Sequence, residues 1–222
     1  MNLKFRLACY LEETAILMKE RAIEKEQARF LCKYGLTDRP QEPRRVTKYN
    51  YYGGVNVLLL DKLLESGIVK TDDHILDVGC GTGMFLFYMA AHGFSYLMGQ
   101  DLDRDLCGHA WKNKNAFLEH CPEYEGHLEI RCENAITAEF SDDINVCYLF
   151  NSFFDQETYQ EWLAVVRASL DRAPRKMKII LLYPTPASLG AFRKCNWLKE
   201  TGIISDPRQV CSLCVRFQIF EA

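Results

Sequence analysis

The chain has 222 residues, of which 48% are hydrophobic and 26% charged. That balance suits one folded domain with a short appendage and excludes a disordered, collagen-like or low-complexity chain. A formal net charge of −3 has the wrong sign for wholesale polyanion binding, which draws on clustered Lys and Arg.

The first thirty-odd residues read as a helix. Leu7, Leu11, Ala15, Met18 and Ala22 recur at three or four positions, with Glu12, Glu13, Lys19, Glu20 and Glu24 on other faces. The early acids Glu12 and Glu13 also argue against a secretory signal peptide. The helix should end near Gly35. Residues 37–48, TDRPQEPRRVTK, carry two prolines and the cations Arg39, Arg44, Arg45 and Lys48. They predict an extended connector, either a solvated loop or a segment meeting an anionic group. Val55, Leu58, Leu59 and Leu63 predict a second helix ending near Gly67.

From there strands and helices alternate. Strands are expected over His74–Val78, Tyr96–Gln100, Leu128–Cys132, Ile144–Phe150, Lys178–Tyr183 and Leu213–Phe220. Met84–His92 is apolar nearly all round, as in a helix buried against a sheet. Asp103 to Leu118 is amphipathic. Tyr159, Trp162, Leu163, Val166 and Leu170 form a helical stripe with Asp155 as its N-cap. This alternation predicts an α/β fold with a parallel sheet. The expected division is an N-terminal helical appendage and connector over residues 1–50 and the α/β domain over residues 51–222.

Ten cysteines are present. Most sit in apolar runs and read as reduced, buried thiols of a cytoplasmic protein. Cys211 and Cys214 form a lone CxxC without a second ligand pair, so no metal site is expected. Residues 78–100 carry no formal charge, but five glycines interrupt them. They read as turn, helix, turn and strand, not as a membrane span.

The most informative segment is Asp77-Val78-Gly79-Cys80-Gly81-Thr82-Gly83. A buried strand ends in an acid, and glycines at every second position open a helix. Bare backbone there lets a ligand approach closely, and open α/β sheets bind ligands at the carboxyl ends of their strands. The turn lacks the third glycine of a dinucleotide fingerprint, whose place is taken by Met84, and lacks the lysine of a P-loop. An acid in place of a phosphate-binding cation suits a cationic, phosphate-free nucleoside.

This stretch resembles motif I, (D/E)-x-G-x-G-x-G, of the class I S-adenosylmethionine-dependent methyltransferases, and the likeness runs in order from about residue 50 to the end. It implies a Rossmann-like three-layer sandwich, with a mostly parallel seven-stranded sheet and helices on both faces. It implies S-adenosylmethionine as cofactor and S-adenosylhomocysteine (SAH) as product, with Asp77, Gly79, Cys80, Gly81 and Gly83 lining the cofactor. Met98-Gly99-Gln100-Asp101-Leu102-Asp103 resembles the end of the family's second strand, so Asp101 would take the ribose hydroxyls beside Leu102. Asp103 reads as the next helix's N-cap. Asn134 and Ala135 stand where the family meets the adenine, and Asn134 reads equally as a turn residue. Asn151, in Asn151-Ser152-Phe153-Phe154, resembles the N-P-F of a bacterial branch, with Ser152 replacing proline; it would hold cofactor or acceptor, or only cap the strand. Tyr51 and Tyr52 resemble that branch's aromatic segment near the cofactor, with core packing as the other reading.

Methyl transfer from a sulfonium is an in-line displacement that rewards close positioning. A base is needed only when the acceptor must lose a proton. Tyr51, Tyr52 and Tyr183 are the acceptor-side candidates, and no catalytic residue is assigned. His109 and His120 read as surface residues of the second core helix. The acid balance and the absence of N-P-P-Y/F argue against a nucleic-acid acceptor. A small molecule is expected, with a protein side chain behind it, no membrane partner, and the oligomeric state open. The competing class is a non-catalytic S-adenosylmethionine-binding scaffold or sensor.

Overall fold

The computed structural model describes residues 21–22, 24–38, 57–205 and 216–222. Tyr51 and Tyr52, the cations Arg39 to Lys48 and the Cys211–Cys214 pair lie outside them. Helix α1 covers residues 24–34 and ends at Gly35, whose φ of 64° lets Leu36 N–H donate back to Leu31 O at 2.9 Å. Then follow α2 (Val57–Glu65), β1 (His74–Val78), α3 (Met84–Ala91), β2 (Tyr96–Asp101), α4 (Arg104–His120), a 3₁₀ turn (Pro122–Tyr124), β3 (Leu128–Cys132), β4 (Val146–Phe150), α5 (Gln156–Arg172), β5 (Lys178–Leu182), α6 (Pro186–Arg193), β6 (Lys199–Ser205) and β7 (Arg216–Glu221).

The seven strands form one sheet in the order β3-β2-β1-β4-β5-β7-β6. β1 to β5 are parallel, and β7 runs antiparallel to both β5 and β6. The strand order reverses between β1 and β4. A ligand cleft is expected above that gap, at the carboxyl ends of the strands.

Both sheet faces are covered. On one, α1 to α4 pack Leu60, Phe85, Phe87 and Phe117 against Ile75, Leu97, Tyr148 and Ile180. On the other, α5 and α6 pack Trp162, Leu163 and Phe192 against Leu76, Cys147 and Ile179. The central strands are therefore apolar on both faces, as their sequences read. Seven of the eight residues of α3 are buried, which explains a helix without a polar face. Asp103 and Asp155 cap α4 and α5 as expected, accepting from Asp105 N and Leu106 N and from Thr158 N.

Some boundaries differ from the expectations. β2 reaches Asp101, β4 starts at Val146 and β5 stops at Leu182; the expected start of the last strand at Leu213 lies outside the described residues. α6 and β6 were not anticipated. α6 is a short helix announced only by its capping box, Thr185 with Ser188, and Pro186 in its first turn. β6 is an edge strand in which no residue is buried, so KETGIIS lacks the apolar alternation of a strand. Among the described cysteines, Cys80, Cys107 and Cys147 are buried as expected, Cys121, Cys132 and Cys195 are half-buried, and Cys32 is exposed; all are free thiols. His120 is exposed and His109 half-buried. Among the described residues no helix is long and apolar enough to cross a membrane.

Gly99 in β2 sits under the start of α3. A Cβ there would lie 2.5 Å from Leu86 Cδ1 and 2.9 Å from Cys80 Sγ. Gly99→Ala should lower stability by about 1–3 kcal/mol through overpacking, measured by urea unfolding. A midpoint at or above the wild-type value would contradict this packing.

Candidate functional site

The glycine turn joins β1 to α3. Gly79, Gly81 and Gly83 hold φ values of 76°, 56° and 84°, the left-handed region that L side chains avoid. Space is restricted as well. A Cβ on Gly79 would lie 3.1 Å from Ser152 Cβ, and one on Gly83 would lie 2.7 Å from the Phe87 ring. Ser152, after β4, donates its hydroxyl to Val78 O, which brings the β4 end onto the turn.

The turn is fastened to β2. Gly79 N–H and Cys80 N–H both donate to Gln100 O, at 2.7 and 3.1 Å. Asp101 Oδ2 accepts from Gly81 N–H at 2.8 Å, and Asp101 Oδ1 accepts from Asp103 N–H at 2.9 Å. A carboxylate offers about four acceptor sites, so acceptor capacity remains beyond these bonds and a further backbone contact from Leu102. Asp103 is committed to capping α4. Leu102, between the two acids, is 44% exposed and offers an apolar face beside the carboxylate. Burial raises the Asp101 pKa, against the opposing effect of its backbone hydrogen bonds.

Asp77, two residues before Gly79, is buried, with 3% of its surface exposed. Burial pushes its carboxyl well above the usual carboxylate range, and the nearby Asp101 adds to this. The same surroundings raise the Cys80 thiol, first by burial and then through Asp77. Beside Asp77, in register on β4, stands Tyr148. Its ring stacks on Phe85 with centroids 3.8 Å apart, and its buried hydroxyl has no hydrogen-bond partner among the described residues. Sequence reading passed over Tyr148 because it sits in an apolar run. Only the strand register pairs it with the acid.

The other expected residues gather at neighbouring strand ends. Asn134 Oδ1 accepts from Ile136 N–H at 3.0 Å, so its side chain shapes the turn after β3, and Ala135 is half-buried next to it. Asn151 follows β4 and Tyr183 follows β5. They are the two non-glycine residues with positive φ among the described residues, at 48° and 50°. The Phe150 and Tyr183 rings lie 5.5 Å apart. The turn, Asp101 and these two residues therefore share the carboxyl edge of the sheet, on both sides of the β1–β4 switch.

A family model described as a methyltransferase domain matches residues 76–170, from β1 into the last turn of α5. Residues 76–170 carry a methyltransferase domain by that match. Its motif I likeness implies S-adenosylmethionine as the cofactor. No curated protein sequence matches the chain significantly. Among solved structures, the methyltransferase domain is similar to a Streptococcus agalactiae protein of the NADB-Rossmann superfamily, at 12% identity and TM-score 0.53, covering 72% of this chain and 67% of that one. It is similar to the magnesium protoporphyrin IX methyltransferase of Synechocystis crystallised with SAH, at 12% identity and TM-score 0.52, covering 74% and 80%. A TehB-like S-adenosylmethionine-dependent methyltransferase from Corynebacterium glutamicum gives 16% identity and TM-score 0.52, covering 72% and 85%. These likenesses concern the fold.

The methyltransferase turn fits its cofactor. Left-handed glycines leave backbone where a Cβ would stand, and no Lys or Arg occurs between Asp77 and Gly83 to demand phosphate. A buried carboxyl, Asp77, beside the buried Tyr148 phenol, whose hydroxyl has no hydrogen-bond partner among the described residues, suits a cation.

The raised Asp77 pKa has a definite sign for stability. The folded state holds the Asp77 proton more tightly than the unfolded chain. Stability of the unliganded protein therefore falls as pH rises from the ordinary carboxylate range toward neutrality. Asp77→Asn removes that contribution, so its stability should fall less than wild type between about pH 4 and pH 7. Urea unfolding across that range checks this. Parallel wild-type and variant curves would mean that Asp77 ionises normally.

Proposed function

We propose that the chain transfers a methyl group from S-adenosylmethionine to a small-molecule acceptor at the ends of β4 and β5, with a protein side chain as the second acceptor class. The observation that carries this reading is the left-handed backbone of Asn151 and Tyr183 at adjacent strand ends. Polar, non-glycine residues held in that conformation beside a ligand turn are a mark of a working site.

When bound, S-adenosylmethionine supplies an electrophilic methyl group on a sulfonium. The residues divide the remaining work. Gly79, Cys80, Gly81 and Gly83 form the backbone wall. Asp101 uses its remaining acceptor capacity for the ribose hydroxyls. Leu102 covers one face of the adenine, with Asn134 and Ala135 at its edge. Asp77 offsets the cationic end of the cofactor, and a cation there would restore its ionised form.

Asn151 and Tyr183 orient the acceptor. Burial raises the Tyr183 pKa, so the phenol stays protonated near neutral pH and acts as a hydrogen-bond donor, not as a base. Tyr51 and Tyr52 are further acceptor-side candidates on the family resemblance. The net charge of −3 supports a small acceptor over a polyanion. The free thiols of the described cysteines support a cytoplasmic setting.

Asp101→Ala should weaken SAH binding by at least about 10- to 150-fold, the range for one of the two charge-assisted hydrogen bonds it removes. Isothermal titration reads this, and unchanged affinity would refute the ribose assignment. Purified protein should convert S-adenosylmethionine to SAH when offered fractionated small metabolites. Turnover confined to protein fractions would favour the second acceptor class. Tight binding without turnover in any fraction would make the chain a scaffold or sensor.

A further inference from the structure

Asn113 lies on α4, about two and a half turns from its start, with 2% of its surface exposed. Its Nδ2 donates to Thr37 O at 2.8 Å and to Thr82 O at 3.0 Å. Its Oδ1 accepts from Thr37 N–H at 2.9 Å and from Thr37 Oγ1 at 3.2 Å. A primary amide has two donors and two acceptor lone pairs. All four are used, and the two carbonyls dictate which end carries the nitrogen.

The partners come from distant parts of the chain. Thr37 follows α1, and Thr82 lies in the cofactor turn between Gly81 and Gly83. One side chain thus fastens the N-terminal segment to the loop that meets the cofactor. The rest of the segment is docked nearby. Phe30 packs on Tyr88 and Tyr34 on Phe117, with centroids 5.0 and 5.1 Å apart. Gln27 bonds Asp38 at 3.0 Å and accepts from Val57 N–H at 3.3 Å, tying the segment to the start of α2. Apolar contacts alone would hold α1 on α3 and α4. They do not explain a buried amide addressed to the carbonyl of Thr82.

We propose that Asn113 is a positioning residue for cofactor binding, coupling the docking of residues 24–38 to the shape of the glycine turn. The inference rests on the turn being the cofactor site. Such coupling is reciprocal. An undocked N-terminal segment loosens the turn and weakens the cofactor, and a bound cofactor tightens the segment.

The test uses the full chain and SAH. In the wild type, saturating SAH should slow amide exchange in residues 31–38. In Asn113→Asp the acceptors for Thr37 remain, both donors are lost, and a carboxylate oxygen faces two carbonyls. This variant should bind SAH about tenfold more weakly and lose the ligand-induced slowing. Reciprocity requires the two effects to match in size, so the wild-type slowing should also be about tenfold. A merely structural amide would lower the melting temperature and move neither readout. Wild-type exchange indifferent to SAH overturns the proposal, as does a folded variant that binds like wild type. If the variant does not fold, the wild-type exchange decides alone. A wild-type titration with no SAH binding overturns the cofactor site itself and this inference with it, and the titration distinguishes that failure from the others.

Discussion

Two backbone N–H groups converge on one carboxylate, that of Asp101: Gly81 N–H from the turn and Asp103 N–H from the entry to α4. This convergence sets the carboxyl edge of the sheet. It holds the turn against the end of β2, where Gln100 O already takes Gly79 N–H and Cys80 N–H. It also places the start of α4 beside the turn, and α4 carries Asn113 back to Thr82. The glycines make the arrangement possible, because a side chain at Gly79 or Gly83 would collide with Ser152 or Phe87.

The electrostatics follow from the same geometry. Burial is the main cause that disfavours the anion at both Asp77 and Asp101, and at Asp77 the nearby Asp101 adds to it. No cation on the turn relieves this. A site built this way suits a positively charged ligand and is hostile to phosphate.

The alternation of strands and helices was readable along the chain wherever local pattern and burial agree. β1 and β3 fall on their expected bounds because apolar runs between turn residues have little freedom in where to end. α3 and α5 are found where all-round apolarity and a helical stripe place them. The elements that escaped are those stabilised by neighbours. β6 is an exposed edge ribbon paired to β7, and its residues carry no burial signal. α6 is too short for periodicity to register and depends on its capping box and on packing of Ala191 and Phe192.

At the site, the residue pattern marked the glycines and Asp77, because a sharp turn between strand and helix needs those residue types in that order, and the family resemblance marked Asp101 and Asn151. Tyr183 stood out by its place after a strand, but the left-handed backbone it shares with Asn151 did not. Three features needed the folded chain. Tyr148 meets Asp77 only through the register of β1 and β4. Ser152 meets Val78 only once β4 lies beside β1. Asn113 joins Thr37 to Thr82 across 76 and 31 residues of sequence. Local order follows from steric and hydrophobic preferences that each segment carries with it. Which polar group answers which across the sheet depends on long-range pairing, and no short stretch of residues encodes that.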